Sequence, residues 1–367
     1  MLRYMSAKNL KKWRGQIGLL RVDLNIEPSQ EESAYRLKAI LPAIKLLLKN
    51  KNKIVILSHR GRPKWKDSKY SLSPLAKILE KRLGQKIKFL PFGNNFRGLR
   101  RDIDLSKNKI FLLENLRFWP GEAKNSPVFA KKLAILGDFY VNEAFAASHR
   151  KNASISVLPR FLPHYAGLSL ASEMKNLDLA MRKYKHPLTL IIGGAKAIDK
   201  LGVIKYFLNK ADRVLLGGGP ANTFFKALGL DIRNSLFDPD AIPPIKKYLH
   251  NQKIILPSDF RANKDKILDI GPRTTVEFIS LVKKSKTIIW NGPVGLFEKK
   301  GFERGSYQLA KAVARNRGFT LVGGGETTTI ILKLGLENKI KFVSTGGGAM
   351  LDYLSGKKLP GIEILKR

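Results

Sequence analysis

Short apolar runs alternate with longer amphipathic segments along the whole chain. Ile17–Leu24 predicts a strand. Ala34–Lys49 then predicts a helix, with Leu37, Ile40, Leu41, Ile44, Leu47 and Leu48 on one stripe at three- and four-residue spacing. Lys53–Leu57 predicts a second strand and Ser73–Leu83 a second helix, with Ser71 as its N-cap. Ile87–Leu90 and Lys109–Leu113 follow as strands, Pro127–Leu136 as a helix and Phe139–Val141 as a strand. After a long helical segment, Leu168–Lys183, the scheme restarts. Its strands are Leu188–Ile192, Arg213–Leu216, Lys253–Leu256, Thr287–Trp290, Thr320–Val322 and Lys341–Val343. Ile-, Val- and Leu-rich runs between helices signal βαβ units and parallel sheets buried on both faces. The expected fold class is α/β, with two Rossmann-like domains, each a parallel sheet flanked by helices.

The two halves punctuate their strand ends differently. In the first, cations and polar groups stand there: Arg21, Asp23 and Asn25, then Arg36, His59 and Arg62, Arg117, and His149 with Arg150. In the second stand glycines: Gly193-Gly194, Gly217-Gly218-Gly219, Gly323-Gly324-Gly325 and Gly346-Gly347-Gly348. Open parallel sheets bind ligands beyond the carboxyl ends of their strands. Glycine at a strand-to-helix turn lets backbone N–H groups approach phosphate or a flat base, and the helix start adds positive potential. Four such turns predict a nucleotide site. Neither Gly-x-x-x-x-Gly-Lys-Ser/Thr nor an early Gly-x-Gly-x-x-Gly is present, which disfavours a P-loop ATPase and an NAD enzyme. Lys196 and Lys200, four apart, are expected on one helical face at the mouth of that site. Recurrent arginines at strand ends suit a small anion with more than one charged group. A nucleotide domain and an anion domain, with no Ser/His/Asp or metal-ligand cluster, point to phosphoryl transfer.

Composition adds limits. The 367 residues contain 68 Lys+Arg against 29 Asp+Glu, a formal charge of +39, with 44% hydrophobic residues and no Cys. The hydrophobic share excludes a disordered basic tail. Absent cysteine excludes disulfides, thiolate metal sites and a cysteine nucleophile. No run approaches a membrane span and no signal peptide precedes the first strand, so a cytoplasmic protein is expected. The charge raises nucleic acid as a partner. However, residues 1–185 carry +24 and residues 186–367 carry +15, without a basic tail or interleaved aromatics.

The motifs Arg21-Val-Asp-Leu-Asn25, Ser58-His-Arg-Gly-Arg-Pro63, Leu113-Glu-Asn-Leu-Arg-Phe118 and Val141-Asn-Glu-Ala-Phe-Ala-Ala-Ser-His-Arg150 resemble, in order, those of phosphoglycerate kinases. So do Gly193-Gly-Ala-Lys-Ala-Ile-Asp-Lys200, Trp290-Asn-Gly-Pro-Val-Gly-Leu-Phe-Glu298, Gly323-Gly-Gly-Glu-Thr327 and Ser344-Thr-Gly-Gly-Gly-Ala349. The resemblance implies reversible Mg2+-dependent phosphoryl transfer between ATP and 3-phosphoglycerate. It implies 3-phosphoglycerate on Asp23, Asn25, Arg36, His59, Arg62, Arg117 and Arg150. It implies MgATP on Gly193, Gly194, Lys196, Lys200, Gly217, Gly218, Asn291, Pro293, Glu298, Gly323, Gly324, Glu326 and Thr327, with Glu326 next to the metal. Arg36, Lys196, Lys200, Gly324 and Gly325 would serve the transferred group.

The implied domains are 1–167 with 354–367 returning to it, a hinge helix at 168–184, and 185–353, facing each other across a hinged cleft in a monomer. This chain departs from the family pattern at Glu326 and Glu143, each in place of Asp, at Ala146-Ala147, at Arg60 in place of Leu, and in a shorter loop from Asn25 to Arg36. The alternative from another class is a nucleic-acid or anionic-surface binding protein built on the same fold.

Overall fold

The computed structural model describes residues 2–27 and 31–366, without the side chains of 31–33. Part of the Asn25–Arg36 loop therefore lies outside the described residues. The chain divides into two compact units, Met1–Met174 with Lys358–Arg367, and Lys175–Lys357.

The first unit is built on β1 (Ile17–Arg21), β2 (Lys53–Leu57), β3 (Ile87–Leu90), β4 (Ile110–Leu113), β5 (Phe139–Asn142) and β6 (His164–Ala166). They form one parallel sheet in the order β3-β4-β2-β1-β5-β6. Leu19 stands between Val55 and Tyr140 in the ladder, and every residue of β1 is buried, as a strand covered on both faces requires. The helix Glu31–Lys49 covers one face. Its Leu37, Ile40, Ala43, Ile44 and Leu47 are fully buried against Leu20, Ile54 and Ile56, while Leu48 is partly buried at the edge of that core.

The structure differs from the sequence reading in several details, among them an added strand, β6, and shifts of one or two residues at the ends of β4, β5 and the helix Pro127–Ala134. β1 ends at Arg21: Val22 still donates to Leu57 O of β2, but Leu24 donates to the Ser58 side chain instead of a strand carbonyl, and both stay buried. Leu72, not Ser71, precedes the helix Ser73–Leu83; Ser71 Oγ accepts from Ser73 N and donates to Glu114. A helix at Phe96–Leu105, N-capped by Asn95, joins β3 to β4.

The second unit uses β7 (Leu188–Ile192), β8 (Arg213–Leu216), β9 (Ile254–Ile255), β10 (Phe260–Asn263), β11 (Lys266–Ile270), β12 (Thr287–Asn291), β13 (Phe319–Gly323) and β14 (Phe342–Ser344). Six are parallel in the order β14-β13-β12-β7-β8-β9, and β10 and β11 form a separate antiparallel hairpin. The connections run one way from β7 and the other way from β12. The pair β7/β12 is therefore the switch point, where a crevice opens at the carboxyl ends.

Candidate functional site

In the first unit the carboxyl ends of β1, β2, β4 and β5 carry the cationic cluster. Arg21 is fully buried. It donates from Nε to Ser154 Oγ (3.0 Å), from Nη1 to Val22 O and from Nη2 to His59 Nδ1 (3.0 Å). An arginine can only donate, so His59 Nδ1 must be the acceptor and the imidazole proton sits on Nε2. Burial, with Arg21, Arg117, Arg150 and Arg36 nearby, holds the His59 pKa well below its ordinary value. His59 is thus a neutral imidazole with one outward donor. Ser154 in turn donates to Glu122 Oε1 (2.6 Å) and gives its N–H to Oε2 (2.9 Å), so a buried carboxylate anchors the chain Glu122–Ser154–Arg21–His59.

Around this anchor Arg36 pairs with Asp23 at 2.8 Å, and Asn25 Oδ1 accepts from Gly61 N. Arg117 Nη1 donates to Gly61 O, and Arg150 Nε donates to His149 Nε2. Burial and the neighbouring Arg150, Arg21 and Arg62 bring the Arg117 pKa down to about 10. Arg150 is lowered by burial and by Arg62, with Asp23 opposing. Five guanidiniums acting on one another and on one imidazole form a region of unspent positive potential, suited to an anion with several charged oxygens.

In the second unit the switch point holds Lys200, which is only 8% exposed. Its Nζ donates to Gly193 O, at the end of β7, and to Asn291 O, at the end of β12. Burial lowers its pKa to about 8, against opposing attraction from Glu326 and Asp199. Lys196 departs from expectation. The helix begins at Ile198, so exposed Lys196 lies in the preceding turn rather than on a shared helical face. The helix Gly325–Lys333 starts at Gly324, whose φ of +98° and lack of a side chain leave the first turn without a side-chain cap. Glu326 lies in that turn, its pKa raised by burial and by Glu298, with Lys200 opposing. Thr327 Oγ1 accepts from Gly292 N (2.8 Å), and Asn291 Nδ2 donates to Gly323 O (2.9 Å), fixing the loop after β12 against that helix start.

Beside these groups lies an apolar slot of about 210 Å3, walled by Gly218, Gly219, Phe225, Val294 and Leu296, with Glu298 and Glu326 among its lining. The glycine runs have two causes. A Cβ on Gly193 would stand 2.0 Å from Pro293 O, and one on Gly219 2.0 Å from Ala195 O, so close packing of the 193–195 and 292–294 turns demands them. Gly347, at φ +50° with nothing within 4 Å, is open. Packing thus accounts for part of a pattern that ligand approach alone had been asked to explain.

Among the described residues, no group of three or more His, Asp or Glu could by itself hold a metal ion. A lone half-screened carboxylate such as Glu326 fits the other arrangement, in which Mg2+ arrives on a phosphate ligand and takes one protein oxygen.

A family model described as phosphoglycerate kinase matches residues 8–357. The chain belongs to the phosphoglycerate kinase family. It is similar to the phosphoglycerate kinase of Geotalea uraniireducens, at 39% identity over 379 residues covering 95% of this chain and 94% of that one. That of Dictyoglomus turgidum is 39% identical over 383 residues, with 96% of each chain covered. Among solved structures, phosphoglycerate kinase from Pyrococcus horikoshii OT3 superposes with a TM-score of 0.87 at 31% identity, covering 100% of this chain and 98% of that one. The Coxiella burnetii enzyme gives 0.83 at 33% identity, with 99% of each covered. The α/β fold with two parallel six-stranded sheets is the fold of phosphoglycerate kinases, and the chain is a kinase by family.

The geometry brings Asp23, Asn25, Arg36, His59, Arg62, Arg117 and Arg150 to one edge of the first sheet. It brings Gly193, Gly194, Lys200, Asn291, Pro293, Gly324 and Glu326 to one edge of the second. Sequence reasoning had no means of finding Glu122 and Ser154. Neither sits in a motif, and Ser154 reaches Arg21 from 133 residues away.

Proposed function

We propose that the two strand-end clusters bind the two substrates of the phosphoglycerate kinase reaction. The observation that carries this is the arginine cluster around a neutral, Arg21-anchored His59 in a chain of this family. On this reading Arg62, Arg117 and Arg150 take the phosphate of 3-phosphoglycerate, while Asp23, Asn25 and the His59 Nε2 proton take its hydroxyl and carboxylate. The adenine lies in the apolar slot against Gly218, Gly219 and Leu296, with Glu298 at the ribose. The phosphates meet the uncapped start of the helix Gly325–Lys333. Glu326 would hold the Mg2+ of the nucleotide, which would draw charge off the phosphate oxygens.

A carboxylate oxygen of 3-phosphoglycerate attacks the γ-phosphorus in line. The new P–O bond makes the acyl phosphate, the bond to the β,γ-bridging oxygen breaks, and ADP leaves with that electron pair. No proton changes place, so no general base is required. What the step needs is positive charge around the moving phosphoryl and exclusion of water once the two sites meet. Lys200, drawn off its two backbone carbonyls, and Arg36, drawn off Asp23, supply the charge.

A coupled assay of ATP-dependent 3-phosphoglycerate phosphorylation tests the reading. Arg36→Ala is expected to cut kcat by about 10²–10³-fold while leaving ATP affinity within a few fold. An undiminished rate in that variant removes Arg36 from the transition state. An inactive wild type removes the assignment itself.

A further inference from the structure

One broad concavity of the second unit lies away from the glycine turns. It is a groove of about 1100 Å3 at the amino ends of β12 and β13, whose first residues Thr287 and Phe319 line it, as does Lys341 just before β14. Nine Lys and Arg side chains line this groove and no Asp or Glu does. They come from separate segments, among them Lys183 and Lys185 beyond the helix Leu168–Arg182, Lys284 and Lys286 before β12, and Arg315 and Arg317 before β13. All are exposed, and among the described residues none makes an ion pair. By contrast, nearby Arg182 pairs with Asp178.

The floor is polar but already occupied. Asn316 Nδ2 donates to Val282 O (2.8 Å) and Ser285 O (2.9 Å), Thr287 Oγ1 accepts from Lys185 N, and Ser285 Oγ meets Thr189 Oγ1 at 2.7 Å. Like charges held around a concave surface focus potential and repel one another until an anion lies among them. The phosphoryl-transfer site cannot account for them, because it belongs to the opposite ends of the strands.

We propose that this groove is a binding site for a linear chain of phosphates, and that its ligand is inorganic polyphosphate. Charge and concavity select a multiply charged, flexible anion. Asn316, Ser285 and Thr287 already have partners, which among the described lining residues leaves exposed Gln308 as the one uncharged side chain available to a base edge, too little to read a run of bases. Phe319 is the one aromatic lining residue, so a stacking platform for single-stranded nucleic acid is missing. The groove binds by charge alone, and its affinity must fall steeply with salt.

The test uses the full chain and fluorescence anisotropy with end-labelled inorganic polyphosphate, competed by unlabelled polyphosphate or by oligouridylate of equal phosphate number. The triple variant Lys284→Glu, Arg315→Glu, Arg317→Glu is compared with Lys49→Glu, Lys81→Glu, Lys124→Glu, which makes the same change in net charge on exposed residues of the first unit. The expected result is a loss of roughly tenfold or more in polyphosphate affinity for the groove variant. A much smaller loss is expected in the control, with oligouridylate the weaker competitor and an unchanged phosphoryl-transfer rate in both. Equal losses in the two variants overturn the site, since net charge then suffices. Oligouridylate competing as well as polyphosphate or better overturns the ligand. Should the charge reversals fail to fold, the Gln replacements at the same three positions provide the same comparison.

Discussion

Replacing Lys200 by methionine keeps most of the volume and removes the charge. A pKa lowered from 10.5 to about 8 means that holding this ammonium in its buried place costs about 3 kcal/mol whenever it is charged. The sign follows from proton counting. Between about pH 8 and 10.5 the folded chain binds fewer protons at this site than the unfolded chain, so stability rises with pH across that window. Below it the whole penalty is present. Integrating from pH 7 to pH 10 gives the wild type a relative gain of about 2–3 kcal/mol that the Lys200→Met protein cannot show. At pH 7 the variant is expected to be more stable by about 1 kcal/mol. It escapes the penalty but leaves Gly193 O and Asn291 O without their donor, at about 1 kcal/mol each.

Activity should move the other way, with kcat down about 10²–10³-fold below about pH 8 and the gap narrowing above it as wild-type Lys200 loses its charge. Chemical denaturation of both proteins at the two pH values, beside the coupled assay, reads all of this. Parallel stability–pH curves for wild type and variant would refute the buried-ammonium argument even if activity were lost. In the wild type, kcat/KM should fall as pH rises past about 8, and Glu326→Gln should move that fall to lower pH by removing an attraction that holds the proton on Lys200.

Four further outcomes follow from the first unit. The KM for 3-phosphoglycerate should show no His59 break between about pH 6 and 8, because the imidazole stays neutral there; a break that disappears in His59→Gln contradicts the assigned tautomer. His59→Gln should keep substrate binding, whereas His59→Leu leaves a buried Arg21 donor without its acceptor and should cost about 1–3 kcal/mol in urea titration. Ser154→Ala breaks the bridge from Glu122 to Arg21 and should both destabilise by a similar amount and raise KM; a change in stability with KM untouched limits the bridge to a structural role. Finally, burial pushes the Glu143 carboxyl up to about 8, so the folded state holds a proton that the unfolded state releases from about pH 4.5. Wild-type stability should therefore decline as pH rises from about 5 to 8, and Glu143→Gln should flatten that decline. Equal slopes in the two proteins would show the carboxylate to be ionised.

Legibility in the sequence followed burial. β2, β3, β7 and β8 begin and end where the sequence places them: β7 is buried throughout, β2 and β8 are buried after their first residue, and β3, an edge strand with Lys88 exposed, is bounded by buried Ile87 and Leu90. β6 is three residues, His-Tyr-Ala, paired along its length to β5 with a single bridge from Ala166 to Tyr4 on its other side, and carries no apolar run. In the hairpin β10 is mostly exposed, whereas β11 buries Asp269, whose carboxylate accepts from Gly305 N and Ile270 N and is pushed up to about 6 by burial. For the sites, which cations stand at strand ends was readable from motif position. Their hydrogen-bond partners were not. Lys196 and Lys200 looked equivalent at four-residue spacing, yet a helix that starts two residues later leaves one in solvent and buries the other. The proton on His59 could be assigned only once Arg21 was seen to occupy Nδ1.

The mutual repulsion of Arg21, Arg36, Arg62, Arg117 and Arg150 has a practical corollary for anyone handling the protein. A domain whose anion site is electrostatically loaded works as an anion gauge. Every multivalent anion in the buffer, sulfate or citrate as much as substrate, relieves the load and lifts the unfolding temperature by an amount set by its concentration and affinity. Melting temperatures recorded in phosphate and in chloride therefore describe two different liganded states, and a thermal shift screen over anions ranks ligands for this pocket before any turnover is measured.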